Sequence, residues 1–133
     1  MDRIAISSGS SFESQAGYAR AVTVKHERFV EVFVSGCTGF DYATMTIAPD
    51  VEAQTRQVFA NLAAALKQAG AGLEHVVRAR YYLTRAEDFP LIAPILGEHF
   101  RSAPPAATAL VCGLIDPRMK IEIEVDARMA RLP

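Results

Sequence analysis

An α+β domain, with two helices laid on one face of a mixed sheet of about six strands, is the fold class this sequence predicts, and three observations carry it. Met119, Ile121, Ile123, Val125 and Ala127 alternate strictly with Lys120, Glu122, Glu124 and Asp126, the period-2 signature of a strand with one face in the core. Val51, Thr55, Val58, Leu62, Leu66 and Ala69 recur at spacings of three and four, one apolar stripe along a helix. The remaining apolar runs are short and β-branched, so the elements read ββ, αβ, αββ and point to a hairpin-rich sheet. Two helices cover one side of such a sheet; the other is expected to pack against another copy of the chain.

Taken in order, Ser7 to Gln15 is polar and Ser-rich and is expected as a loop ending at Gly17. Tyr18 to Val24 and Phe29 to Ser35 follow as strands, joined through the polar tetrapeptide Lys25 to Arg28. The second strand runs into Ser35-Gly36-Cys37-Thr38-Gly39, whose glycines permit tight turning and close approach of a ligand to the main chain. Phe40 to Ala48 has no clear period. Asp50 and Glu52 favour a helix start at Val51, and Gly70 and Gly72 stop that helix. Val76 to Leu83 reads as a strand with Arg78, Arg80 and Tyr82 on one face. Thr84 to Glu87 has the form of a capping box, and Phe89, Ile92, Ile95, Leu96 and Phe100 continue at helical spacing. Pro90 suits the first turn, whereas Pro94 is expected to kink the helix or loosen its start. Pro104-Pro105 ends it. Ala106 to Gly113 and Met119 to Ala127, with Asp116-Pro117 turning between them, are expected to form an antiparallel pair.

Composition narrows the function. The 133 residues make one domain, 50% hydrophobic and 22% charged, with formal net charge −1. That balance gives nucleic-acid binding little support. No apolar run approaches the ~18 residues of a membrane span, and no basic segment followed by an apolar core opens the chain, so a cytoplasmic location is expected. Cys37 and Cys112 are too few for a disulfide framework and are expected as reduced thiols. His26, His75 and His99 lack metal-ligand spacing, and no metal is expected.

Several segments carry a resemblance: Phe33-Val34-Ser35-Gly36, Glu52 to Val58 with Asn61-Leu62, Ala69-Gly70-Ala71 followed by Val76-Val77, Tyr82-Leu83-Thr84 with Asp88-Phe89, and Lys120 to Glu124. In this order, from about Gly17 to Ala127, the chain resembles the Rid family of reactive-intermediate deaminases, also called YjgF-like or UK114-like proteins. The resemblance implies a chorismate-mutase-like fold, a homotrimer with ligand clefts between subunits, and hydrolysis of small enamines or imines to carbonyl compounds without metal or organic cofactor.

An imino acid needs a cation for its carboxylate, best a bidentate guanidinium, and a group that orients water at the imine carbon. The family's P-x-R-[ST] motif reads Pro105-Ala106-Ala107-Thr108 here, so Ala107 stands in place of the arginine; Ala93 stands where the family carries an asparagine. By resemblance Glu122 orients water, Tyr18 lines the cleft and Gly36 borders it; Thr108, the last position of the motif, is a candidate substrate contact, and Cys37, where other members carry a small or polar residue, is a candidate contact or a buried inert thiol. Arg80, flanked by Arg78, is the candidate replacement clamp for an anionic substrate, with Glu122 or Glu124 as its partner in the empty protein; Arg118 could reach a neighbouring cleft. Three functions follow: a cofactor-independent imine or enamine deaminase, a trimeric small-molecule-binding protein without that activity, and endoribonuclease activity, which the charge balance favours least.

Overall fold

Alternating and helical patterns sort the chain into eight strands and three α-helices over residues 2–132, the part described in the computed structural model. They are β1 (Asp2–Ile6), α1 (Ser11–Ala16), β2 (Ala21–Lys25), β3 (Phe29–Thr38), β4 (Phe40–Asp41), β5 (Thr46–Ile47), α2 (Val51–Gln68), β6 (Val76–Leu83), α3 (Phe89–Phe100), β7 (Ala106–Val111) and β8 (Ile121–Ala130). Six strands form one sheet in the order β1-β2-β3-β8-β6-β7, and β4 and β5 form a separate small hairpin. The expected α+β architecture stands.

Helix α2 starts where Asp50 accepts a hydrogen bond from the Ala53 N–H at 2.9 Å, and Gly70 beyond its end takes a left-handed φ of +80°. Its stripe of Val58, Leu62 and Leu66 packs with Ile92 and Ile95 of α3 against Val32, Val34, Ile121, Ile123 and Val125 of the sheet. Burying these side chains supplies most of the folding drive, at roughly 25 cal/mol per Å² of apolar surface.

Three sequence expectations change. Ala106–Val111 and Ile121–Ala130 are not paired with each other: β7 runs parallel to β6, and β8 lies antiparallel between β3 and β6. A strand that follows β6 through the crossover helix α3 returns in the same direction, so β7 takes the edge. The fully buried face of β8, by contrast, belongs at the centre. Ser11–Ala16 is a short helix rather than loop, because Ser10 accepts from Phe12 N–H and Gly17 closes the end with φ +70°. No capping box forms at Thr84: a 3₁₀ turn over Ala86–Asp88 leads into α3, which runs through Pro94.

The second sheet face carries Arg78, Arg80, Tyr82, Glu124, Asp126 and the half-exposed Phe33, and among the described residues no helix covers it. Strand β7 is exposed along all six residues and pairs on one side only. An apolar edge of this kind is a template for another chain.

Candidate functional site

The site is built around an irregularity in β3. Val34 lies opposite Val125 and Cys37 opposite Ile123, so Ser35 and Gly36 together face Glu124, a β-bulge. The extra residue reverses the inward parity of the strand: Val30, Val32 and Val34 point into the core, and after the bulge Cys37 does. Thr38 then faces outward with Glu122, its register partner.

The preceding segment is stitched to this bulge. The Ser35 N–H donates to the Arg20 carbonyl at 2.9 Å, and the Ser35 hydroxyl to the Ala19 carbonyl at 2.6 Å. Below them the Arg20 guanidinium, 2% exposed, donates through Nη1 to the Gly36 carbonyl at 2.9 Å and lies 4.3 Å from the Tyr42 ring centroid. Its charge is met by Glu13 of α1, 3.5 Å away and also buried. Burial pushes the Glu13 carboxyl up, yet hydrogen bonds from the Ser8 hydroxyl and N–H and the Arg20 charge more than offset this, and it titrates below the usual range.

The opposite wall is held by one amide. Gln54, fully buried in α2, donates to the carbonyls of Ala48 (2.8 Å) and Arg118 (2.9 Å) and accepts from the Lys120 N–H (2.9 Å). That clasp sets Met119 into a small second core with Phe40 and Tyr42.

Between the two walls opens a cleft of about 520 Å³, within the range of small-molecule sites. Tyr18, Gly36 and Glu122 line it, together with Phe12, Tyr42, Ile115 and Met119. Three of the residues singled out in the sequence therefore meet. Burial, and then the neighbouring Glu124, raise the Glu122 carboxyl above its ordinary range, with Arg20 partly opposing. A carboxylate so raised is a better proton acceptor near neutral pH.

The other expected residues lie elsewhere. Arg80 pairs with Asp126 at 3.4 Å rather than with Glu122 or Glu124: its register partner is Glu124, but Tyr82 takes that carboxylate as its hydrogen-bond partner, and the guanidinium reaches diagonally to Asp126. Arg118 grips Asp116 through two nitrogens at 3.0 and 2.8 Å, holding that carboxyl down at about 2. Cys37 is turned into the core by the bulge, where burial lifts its thiol to about 11. Ala107 and Thr108 sit on the exposed edge strand, outside the lining of this cleft. Arg20, Gln54 and Tyr42 went unread. A strand-entry cation and a helix-start glutamine carry no sequence signal until their partners fold against them.

A methyl group added at Gly36 would stand 2.8 Å from the Glu122 carboxyl carbon and Oε1. Only the tip of a flexible side chain blocks it, so Gly36→Ala is expected to fold but to displace the carboxylate, with a loss of cleft chemistry on the scale of 10²-fold. Thermal melting and turnover measured together check this; unchanged turnover would detach Gly36 from the site.

Residues 8–129 match a family profile described as "Endoribonuclease L-PSP". Protein DfrA of Myxococcus xanthus is 34% identical over 128 residues, 96% of each chain. A RutC family protein of Pyrococcus abyssi is 33% identical over 97 residues, 72% of this chain and 76% of that one. Among solved structures, a Mycobacterium tuberculosis protein described as a member of the highly conserved YjgF/YER057c/UK114 family superposes with TM-score 0.85 at 36% identity, over 96% of this chain and 100% of that one. RidA from the Antarctic bacterium Psychrobacter gives 0.76 at 28%, over 94% of each.

Proposed function

From the chain's membership of the endoribonuclease L-PSP family, the YjgF/UK114/Rid proteins, we propose that its cleft hydrolyses a small imine or enamine without a cofactor. The observation that carries this reading is the half-buried Glu122 carboxylate, pressed against the Gly36 bulge and open to the cleft beside Tyr18. Glu122 accepts a proton from water as the water oxygen bonds to the imine carbon and the C=N pair moves onto nitrogen. That proton passes to nitrogen to give the carbinolamine; its hydroxyl then yields the second proton, through Glu122, to the nitrogen as the C=O bond forms and the C–N bond breaks, and a carbonyl compound leaves with ammonia or an amine.

The cleft works in a homotrimer, which the uncovered sheet face and the one-sided edge strand β7 support. Light scattering at micromolar concentration is expected to give about three times the 14.5 kDa chain mass; a monomer would remove this part of the proposal. Ala107 favours a second reading, a binding protein that kept the cleft and lost turnover. An assay separates the two: an imine formed in solution from an amine and a carbonyl compound is expected to disappear faster with the protein present, whereas binding without acceleration selects the second reading. The endoribonuclease reading gains nothing from a cleft whose one charged lining group is a carboxylate, which repels phosphate.

A further inference from the structure

The buried guanidinium beneath the bulge offers more than its hydrogen bonds use. Nη1 of Arg20 donates to the Gly36 carbonyl at 2.9 Å and reaches the Cys37 sulfur at 3.6 Å, whereas Nε and Nη2 have no hydrogen-bond partner among the described residues. Glu13 lies 3.5 Å from Nε, near enough to offset the charge but not aligned to accept from it. Idle buried donors are unfavourable, and a neutral amide such as glutamine would hold the same carbonyl with less penalty. What an amide cannot supply is charge.

That charge stands behind the carboxylate of the cleft. The Gly36 peptide carries the Arg20 hydrogen bond on its carbonyl, and its α-carbon seats Glu122 so closely that an added Cβ would come within 2.8 Å of the carboxyl. On the reading of Glu122 as the base of the cleft, we propose that Arg20 is its positioning residue: through the Gly36 peptide it fixes the seat of the carboxylate and supplies the positive charge that keeps it ionised, while Glu13 sets how much of that charge is felt.

The other groups around Glu122 are engaged or neutral. Glu124, next on the same face of β8, accepts from the Tyr82 hydroxyl of β6, and Arg80 of that strand is held by Asp126. Tyr18 and Tyr42 line the cleft with Glu122. Burial keeps the Tyr42 hydroxyl and the Cys37 thiol, the latter at about 11, in their neutral forms near pH 7. Lys120 lines a separate hollow beside Arg118. Glu124 therefore adds to the rise that burial gives the Glu122 carboxyl, and Arg20 opposes both. A neighbouring copy that completes the cleft brings the same groups to wild type and variant alike, so a difference between variants isolates the Arg20 charge.

The test needs no substrate: the Glu122 carboxyl carbon is followed by NMR against pH in the full protein labelled with carbon-13 glutamate, its resonance assigned by its loss in Glu122→Gln. Arg20→Gln combined with Glu13→Gln keeps a donor for the Gly36 carbonyl and strands no charge, and Glu122 is expected to titrate at higher pH than in the wild type. Glu13→Gln alone leaves the Arg20 charge undiminished and is expected to move Glu122 the other way. Arg20→Lys is expected to stay near the wild type. A merely structural prop shifts Glu122 in one direction or not at all, so an unmoved titration, or shifts of the same sign in both variants, overturns the proposal. Should Glu13→Gln fail to fold, Arg20→Lys set against the double variant decides: restored charge returns the wild-type titration, and equal values for the two overturn the proposal. In turnover the double variant is expected to lose about tenfold on the acid side of the Glu122 titration and little on the alkaline side, as a shift of about one unit produces. If the wild type hydrolyses no imine, the hydrolase reading falls while the carboxyl titration still decides the role of Arg20.

Discussion

Glu122→Gln is expected to lower imine turnover by about 10²–10⁴-fold, the usual worth of a positioned general base. The amide keeps the shape of the side chain and its place beside Gly36 but cannot take the proton. The same change is expected to leave the fold as stable or more so at neutral pH. Burial and Glu124 raise the Glu122 carboxyl. A folded-state value above the unfolded one gives a contribution that is complete below the unfolded pKa and is lost as pH rises through the folded one. Near neutral pH, therefore, the wild type holds a carboxylate in a site that disfavours its charge. Thermal melts from about pH 4 to pH 8, spanning carboxyl titration, are expected to show the variant's advantage growing with pH and vanishing in acid. Undiminished turnover, or a variant that melts lower at every pH, would remove Glu122 from the role.

Arg20→Met is expected to cost the most stability of any single change near the cleft, about 3–5 kcal/mol, because it strands the buried Glu13 carboxylate. The two Ser8 hydrogen bonds to Glu13 keep the loss toward the lower end. Urea denaturation measures it. Removing both charges together, as Arg20→Met with Glu13→Gln, is expected to cost less than Arg20→Met alone, since no unpaired ion is left. A double variant worse than the single would show that Arg20 acts mainly by holding the Gly36 carbonyl and packing on Tyr42.

What could be read from the sequence followed how local the cause was. The α2 stripe and the β8 alternation needed only nearest-turn and nearest-neighbour geometry, and both stand where the patterns put them. The pairing of β7 depended instead on the crossover through α3, a rule of longer range than the turn-like Asp116-Pro117 that suggests the wrong partner. Tyr18, Gly36 and Glu122 were legible through resemblance, and they do converge. Arg80 shares a face with acidic residues and has Glu124 as its register partner, yet its guanidinium lies diagonally against Asp126 because Tyr82 holds Glu124, a side-chain choice that alternation alone does not encode. Arg20 was invisible for the opposite reason. Its partners, Glu13 and the Gly36 carbonyl, lie seven and sixteen positions away and meet it only once α1 and the bulge have formed.

That bulge bears on how the chain tolerates insertion and deletion. Val34 and Cys37 keep their partners Val125 and Ile123 on either side of it, and only Ser35 and Gly36 share one position on β8. Deleting Ser35 would restore a regular ladder in which every inward side chain, Cys37 included, keeps its place. Such a chain would forfeit the bonds to Ala19 and Arg20 and the close seat of Glu122 on Gly36. The thirty-fifth residue is thus spare as far as the sheet is concerned. A Ser35 deletion is a change that separates the scaffold from the cleft, sparing the first and dismantling the second.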